Sequence, residues 1–228
     1  MQMLLNIRPA ESLDSFTNKT LINITADKLS CGSVAILPTS TIFGLSCAYD
    51  NEAAVKRIYK IKNRPAFLPF IIIISCLESL GALTENISQN AKKLIDIFWL
   101  SKEAQPLTLI FDRNKNTGDF ITQGRPGIAV RLDPLPLLKK IVGKCGPVVS
   151  TSATISGSPD IPAGLKKIAG SIIDKADIIL DPGTESGITA STILDVTGPK
   201  PLLLREGTLS AEYISKATGM DIIIKDVK

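Results

Sequence analysis

Short apolar runs, several of them β-branched, alternate along the chain with stretches in which apolar positions recur at helical spacing. The runs predict strands at Ser33–Leu37, Phe70–Ile74, Leu107–Phe111, Ile128–Leu132, Val148–Ser152, Ile178–Leu180, Ser191–Val196 and Pro201–Arg205. The intervening stretches predict helices, and their end signals are explicit. Leu21–Ser30 stops at Gly32, a residue suited to the left-handed turn past a helix end. Asn51 caps a helix with Val55, Ile58, Tyr59 and Lys62 on one face, and Pro65 requires it to end by Arg64. Further helices are expected at Ile87–Leu100, Leu135–Val142 and from Pro162 to about Ile173. A last one runs between a Ser210 cap and Gly219. Alternating strands and helices point to an α/β domain, and their uneven late spacing points to an open, twisted, mixed sheet flanked by helices. No internal repeat or linker divides the chain, so residues 1–228 read as one domain.

Composition narrows the chemistry. Apolar residues make up 44% of the 228, enough to form a core and to argue against disorder. A net charge of +4 is too small to imply nucleic-acid binding by itself. There is no histidine, which removes Ser-His-Asp and Cys-His catalysis. The four cysteines are far apart with no CxxC, so a zinc site would need all of them gathered; buried, reduced thiols are the expectation. The densest apolar stretch, Phe67–Ile74, is far short of a membrane span and contains Pro69; a cytoplasmic protein without a membrane partner is expected. Neither GxGxxG nor GxxxxGK[ST] occurs, so the two commonest nucleotide-binding loops are absent.

Five segments place polar or cationic residues where a scaffold could aim them at a cleft. Thr39, Ser40 and Thr41 precede Gly44, either as ligand-facing hydroxyls or as an ordinary turn. Lys60, Lys62 and Arg64 end a helix, as a phosphate clamp or as charges suited to the helix dipole. Arg131 lies inside an apolar strand and needs an anionic partner, either a protein or a ligand carboxylate. Ser150, Thr151, Ser152, Thr154 and Ser156 follow a β-branched strand and approach Gly157. Ser191 precedes a strand, and Arg205 ends one, with Glu206 as its simplest partner.

Taken in order, PTSTIFGL, KIKNRP, IAVRL, STSATISG, STILDVTG and LLREG resemble the YrdC/TsaC family of threonylcarbamoyl-adenylate synthases. The resemblance runs from about Leu21 to Gly207 and, since the chain ends soon afterwards, suggests the short form of the family. It implies a YrdC-like sheet with a basic concave face. The implied activity joins L-threonine, bicarbonate or CO₂, and ATP into threonylcarbamoyl-AMP and pyrophosphate, with magnesium carried on the ATP. The product would pass to tRNA-modification transferases for threonylcarbamoyladenosine synthesis. Carried over by motif, Thr41, Arg131 and Ser191 form the threonine-binding set, with Arg131 on the substrate carboxylate. Lys62, Arg64, Ser150, Ser152 and Arg205 form the ATP-binding set, and Lys62, Arg64 and Arg205 carry catalysis.

Three single positions depart from the family pattern, and Phe98-Trp99-Leu100-Ser101-Lys102-Glu103-Ala104-Gln105-Pro106-Leu107-Thr108 replaces its usual FWPGPLT. Leu68 stands where an Asn contacts ATP, Ile73 where a His lies near the threonine, and Thr154 where the usual Ser-Ala-Asn ends. These departures leave two other readings: a double-stranded RNA or tRNA binder using the same basic cleft, and an adenylating enzyme for a different amino acid.

Overall fold

The computed structural model describes residues 2–65 and 67–224. In chain order it comprises β1 (Met3–Asn6), α1 (Phe16–Ser30), β2 (Ala35–Leu37), β3 (Gly44–Ala48), α2 (Glu52–Lys62) and β4 (Ile71–Ile74). A 3-10 turn (Leu77–Ala82) leads to α3 (Gln89–Phe98), β5 (Leu107–Asp112), α4 (Asp119–Thr122), β6 (Gly127–Leu132), α5 (Pro136–Cys145) and β7 (Val148–Ser152). A second 3-10 turn (Leu165–Lys167) precedes α6 (Gly170–Ile173), β8 (Ile178–Asp181), β9 (Thr192–Asp195), β10 (Leu202–Arg205), α7 (Ala211–Thr218) and β11 (Ile223–Ile224). The strands form one mixed sheet in the order β1-β8-β2-β3-β7-β4-β6-β5-β9-β10-β11.

The expected strands all form, and the predicted caps hold. The Asn51 side chain accepts from Ala54 N at 2.9 Å, Ser210 accepts from Tyr213 N, and Gly219 takes a left-handed conformation. Beyond β1, α4 and β11, which the sequence reading did not include, three differences have a plain physical cause. α1 begins at Phe16, because Ser15 caps a first turn in which Phe16 is exposed and so adds nothing to the apolar pattern. β3 was not visible because Gly44-Leu45-Ser46-Cys47-Ala48 is buried throughout yet has no β-branched residue. The helix expected from Pro162 is broken into a 3-10 turn and a four-residue α-turn, since Gly164 is extended and Gly170 interrupts the run. The cysteines also divide: Cys47 is buried, whereas Cys31 and Cys76 are exposed.

Strand alternation sorts the sheet's two faces. Ile72 and Ile74 join Leu45, Val149 and Val130 in a core roofed by Val55 and Ile58 of α2 and by Leu94, Ile95 and Phe98 of α3. The opposite face is covered only in part. There α1 (Ile22, Ala26, Leu29) and α5 (Leu137, Leu138, Ile141) pack on Ala35, Ile73, Val148 and Ile178. Where those two helices stop, the same face continues as Gly44, Ser150, Ile71, Arg131, Ser191, Ile193 and Arg205, and these residues line an open cleft.

Candidate active site

The cleft encloses about 270 Å³. Its residues come from strands distant in sequence and adjacent in the sheet. Register sets them side by side: Ser46 opposite Ser150, Gly44 opposite Ser152, Ile73 opposite Arg131, and Arg205 opposite Ile193. The Ser46 hydroxyl donates to Ser150 Oγ at 3.0 Å, which fixes the Ser150 rotamer at the cleft floor. Gly44 makes room for it, since a Cβ there would lie 2.4 Å from Ser150 Oγ.

Arg131 is 95% buried and its charge is met by a protein carboxylate: Nη2 lies 2.8 Å from Asp133 Oδ2. Of the two partners left open for this cation, a protein carboxylate is in place. Nη1 donates to Thr41 Oγ1 at 3.1 Å, and Thr41 is held in turn by Thr39 Oγ1 at 3.0 Å. Arg131 Nε is buried without a partner, while Nη1 and Nη2 each keep a second N–H beyond Thr41 and Asp133. Ser191 Oγ is paired with the buried Thr108 Oγ1 at 2.8 Å, so Ser191 too has its hydroxyl oriented from beneath.

The other two guanidinium groups are held by backbone oxygens. Arg64 donates to Leu68 O (3.3 Å) and Pro69 O (2.8 Å) and lies 5.2 Å over the Phe70 ring. Arg205 donates to Ser191 O through Nε at 3.0 Å and Nη2 at 2.7 Å. Neither has a carboxylate partner among the described residues. Glu206, the simple partner expected for Arg205, instead accepts from Ala211 N at the start of α7. Burial lowers the pKa of both arginines. For Arg205 the nearby Arg131 charge acts in the same direction, as expected of cations gathered in a cleft that awaits an anion.

Lys62 is not on the cleft surface. Its side chain is fully buried, and Nζ donates to the carbonyls of Ser152 and Thr154 and to Ser152 Oγ at 3.3 Å. Its own carbonyl accepts from Ser156 N at 2.9 Å, so Lys62 staples the turn after β7 to the end of α2. Burial, with the Arg64 charge added, lowers this ammonium to about 7. The direct contact expected of Lys62 is thus replaced by support of Ser152, because the apolar face of α2 carries the residue inward.

The three departures also find places. Leu68 contributes its carbonyl, shared by Tyr59 Oη at 2.7 Å and by Arg64. Thr154 Oγ1 lies 3.0 Å from Ser152 Oγ, and Ile73 gives the cleft an apolar wall beside Arg131. Asp133 and Thr108 were missed by sequence reading, whereas Thr39 stood among the candidate hydroxyls before Gly44. Asp133 had a signal, being two residues from Arg131 just past the strand end; Thr108 looks like an ordinary strand residue. The cleft lining itself includes no carboxylate, and among the described residues no three His, Cys, Asp or Glu side chains gather as a metal site.

The geometry defines an open α/β sheet whose uncovered half carries three arginines and a row of oriented hydroxyls. A family model described as telomere recombination (Sua5, YciO, YrdC) matches residues 27–207, and the chain belongs to that family. It is 33% identical over 220 residues to a threonylcarbamoyl-AMP synthase of Pyrococcus abyssi, covering 96% of this chain and 62% of that one. To the threonylcarbamoyl-AMP synthase of Bacillus subtilis it is 31% identical over 205 residues, covering 89% and 58%. The structure of P. abyssi Sua5 complexed with L-threonine superposes with a TM-score of 0.88 at 32% identity, over 98% of this chain and 63% of that one. The chain thus spans about three fifths of the length of these relatives. No helix among the described residues is long and apolar enough to cross a membrane.

Proposed function

We propose that this chain is an L-threonylcarbamoyl-AMP synthase, a nucleotidyltransferase acting on ATP, L-threonine and bicarbonate. The observation that carries this reading is the convergence of Thr41, Arg131 and Ser191 with Arg64, Ser150, Ser152 and Arg205 in one cleft. Two groups of donors meet within it: Thr41, Arg131 and Ser191, and the cations Arg64 and Arg205 with the serines of β7, Arg205 resting on Ser191. The names of the relatives and the L-threonine complex of P. abyssi Sua5 support an amino-acid substrate, and we assign the first group to it.

The chemistry asks for alignment and charge neutralisation, not for a nucleophilic side chain. Threonine's amine and CO₂ form a carbamate, and one carbamate oxygen attacks the α-phosphorus of ATP. The bond from that phosphorus to the bridging oxygen breaks and pyrophosphate leaves. Arg64 and Arg205, held by backbone oxygens, present guanidinium groups to the developing charge without reorganising. Lys62 keeps the Ser152 turn in place from behind. Magnesium would enter on the nucleotide's phosphates, since the lining offers hydroxyls and cations and no carboxylate. The product is a mixed anhydride, and a downstream transferase acting on tRNA would consume it.

The test is pyrophosphate release from ATP and bicarbonate by the folded protein, with and without L-threonine. Threonine-dependent release supports the synthase. Absence of release, together with salt-sensitive RNA binding that ATP does not compete, would replace it with a binding function.

A further inference from the structure

We infer that Asp133 is a positioning residue of the amino-acid subsite, the group that aims Arg131 and shapes the Thr39–Thr41 turn for a substrate carboxylate. This rests on the synthase reading above. Asp133 is completely buried, and its two oxygens accept three hydrogen bonds and make one ion pair. Oδ1 accepts from Ser40 N at 3.1 Å and Leu135 N at 3.0 Å. Oδ2 accepts from Ser40 Oγ at 2.9 Å and pairs with Arg131 Nη2 at 2.8 Å. One carboxylate therefore ties together the loop after β2, the end of β6 and the guanidinium between them.

The consequence for Arg131 is geometric. With Nη2 on Asp133 and Nη1 on Thr41, two of the three nitrogens are fixed, and the plane of the group is set. The third, Nε, is buried without a partner in a side chain that lines the cleft. Nη1 and Nη2 each keep a second N–H beyond Thr41 and Asp133, so the oriented guanidinium, which lines the cleft, can still donate to a ligand oxygen. The charge follows the same division. Arg131 and Asp133 cancel as a pair, so this end of the cleft recognises its ligand by directed hydrogen bonds. Arg64 and Arg205, without carboxylate partners among the described residues, supply the net positive charge that polyphosphate needs. Asp133 therefore keeps the amino-acid end from competing for phosphate.

Loss of the Asp133 charge should then weaken threonine selectively. Asp133→Asn preserves size and one acceptor oxygen while removing the ion pair. The expected result is a rise of at least about tenfold in KM for L-threonine, with KM for ATP within about twofold of the parent. The preference for L-threonine over L-threoninamide, measured as competing ligands, should shrink, since only the acid offers the carboxylate that Arg131 reads. Equal changes in both KM values, or an unchanged preference, would overturn the assignment. Should Asp133→Asn not fold, Ser40→Ala removes one donor and leaves the ion pair. A rise of about threefold confined to threonine supports the role, and no rise overturns it. If the parent protein releases no pyrophosphate, direct titration with L-threonine decides: binding lost in Asp133→Asn keeps the inference while the synthase reading falls. No binding by the parent sinks both.

Discussion

Gly44→Ala tests how the cleft floor is built. The new Cβ would lie 2.4 Å from Ser150 Oγ, against an ordinary contact of 3.4–4 Å, so the two must separate by about 1 Å. The hydroxyl cannot simply rotate away without leaving Ser46, which holds it at 3.0 Å in a buried setting. Overpacking costs about 1–3 kcal/mol, and the broken hydrogen bond adds about 1 kcal/mol. In a chain of 228 residues each kcal/mol lowers Tm by about 2–4 °C, so a fall of about 4–16 °C is expected. Thermal melting measures it, with pyrophosphate release read on the same samples. The second variant, Gly44→Ala with Ser150→Ala, removes the clashing oxygen. It should melt well above the sum of the two single effects, because residues in contact are not additive. Nucleotide KM should stay raised in the double variant, since Ser150 Oγ is gone. A single variant that melts within about 1 °C of the parent, or a double variant that is strictly additive, would refute the argument.

Three other outcomes follow from the same geometry. Arg64→Ala or Arg205→Ala should lower kcat about 10²–10³-fold with Tm little changed, as measured by pyrophosphate release and melting; full activity in either would contradict the phosphate role. Lys62 titrates near 7 instead of the ordinary 10.5, so the folded state disfavours its charge; this cost is complete below about 7 and is relieved as pH rises toward 10.5. As pH rises through 7 the charge-assisted hold on the Ser152 and Thr154 carbonyls also weakens, and KM for ATP should rise, whereas Lys62→Arg should flatten that profile. In Gly187→Ala the Cβ would sit 2.6 Å from the Thr41 carbonyl, displacing the exposed 182–190 segment from the Thr41 turn; a roughly tenfold rise in threonine KM is expected, with a small change in Tm.

Much of this protein is legible along the chain. β-branched runs such as Ile71–Ile74 marked interior strands because such residues favour a buried pleated sheet, whereas β3, equally buried, carried no such mark. Asn51, Ser210 and Gly219 marked helix ends because end geometry depends on single residues. The site segments stood out because they follow strands, where a sheet delivers side chains to one edge. Arg131 showed itself by cost, a cation in an apolar strand that had to be answered.

Tertiary structure decided the rest. Whether Arg131 met a substrate or a protein carboxylate depended on its register and on the path after β6, which put Asp133 against its outer edge. Lys62 read as a clamp residue by its neighbours in sequence, yet the helix turned it inward, where two carbonyls accept its charge. Gly44 and Ser150, more than a hundred residues apart, constrain one another only because β3 and β7 pair antiparallel. Local propensity is set by nearest neighbours and can be read in order. Partnership is set by which strands lie side by side, a choice made by the whole core at once.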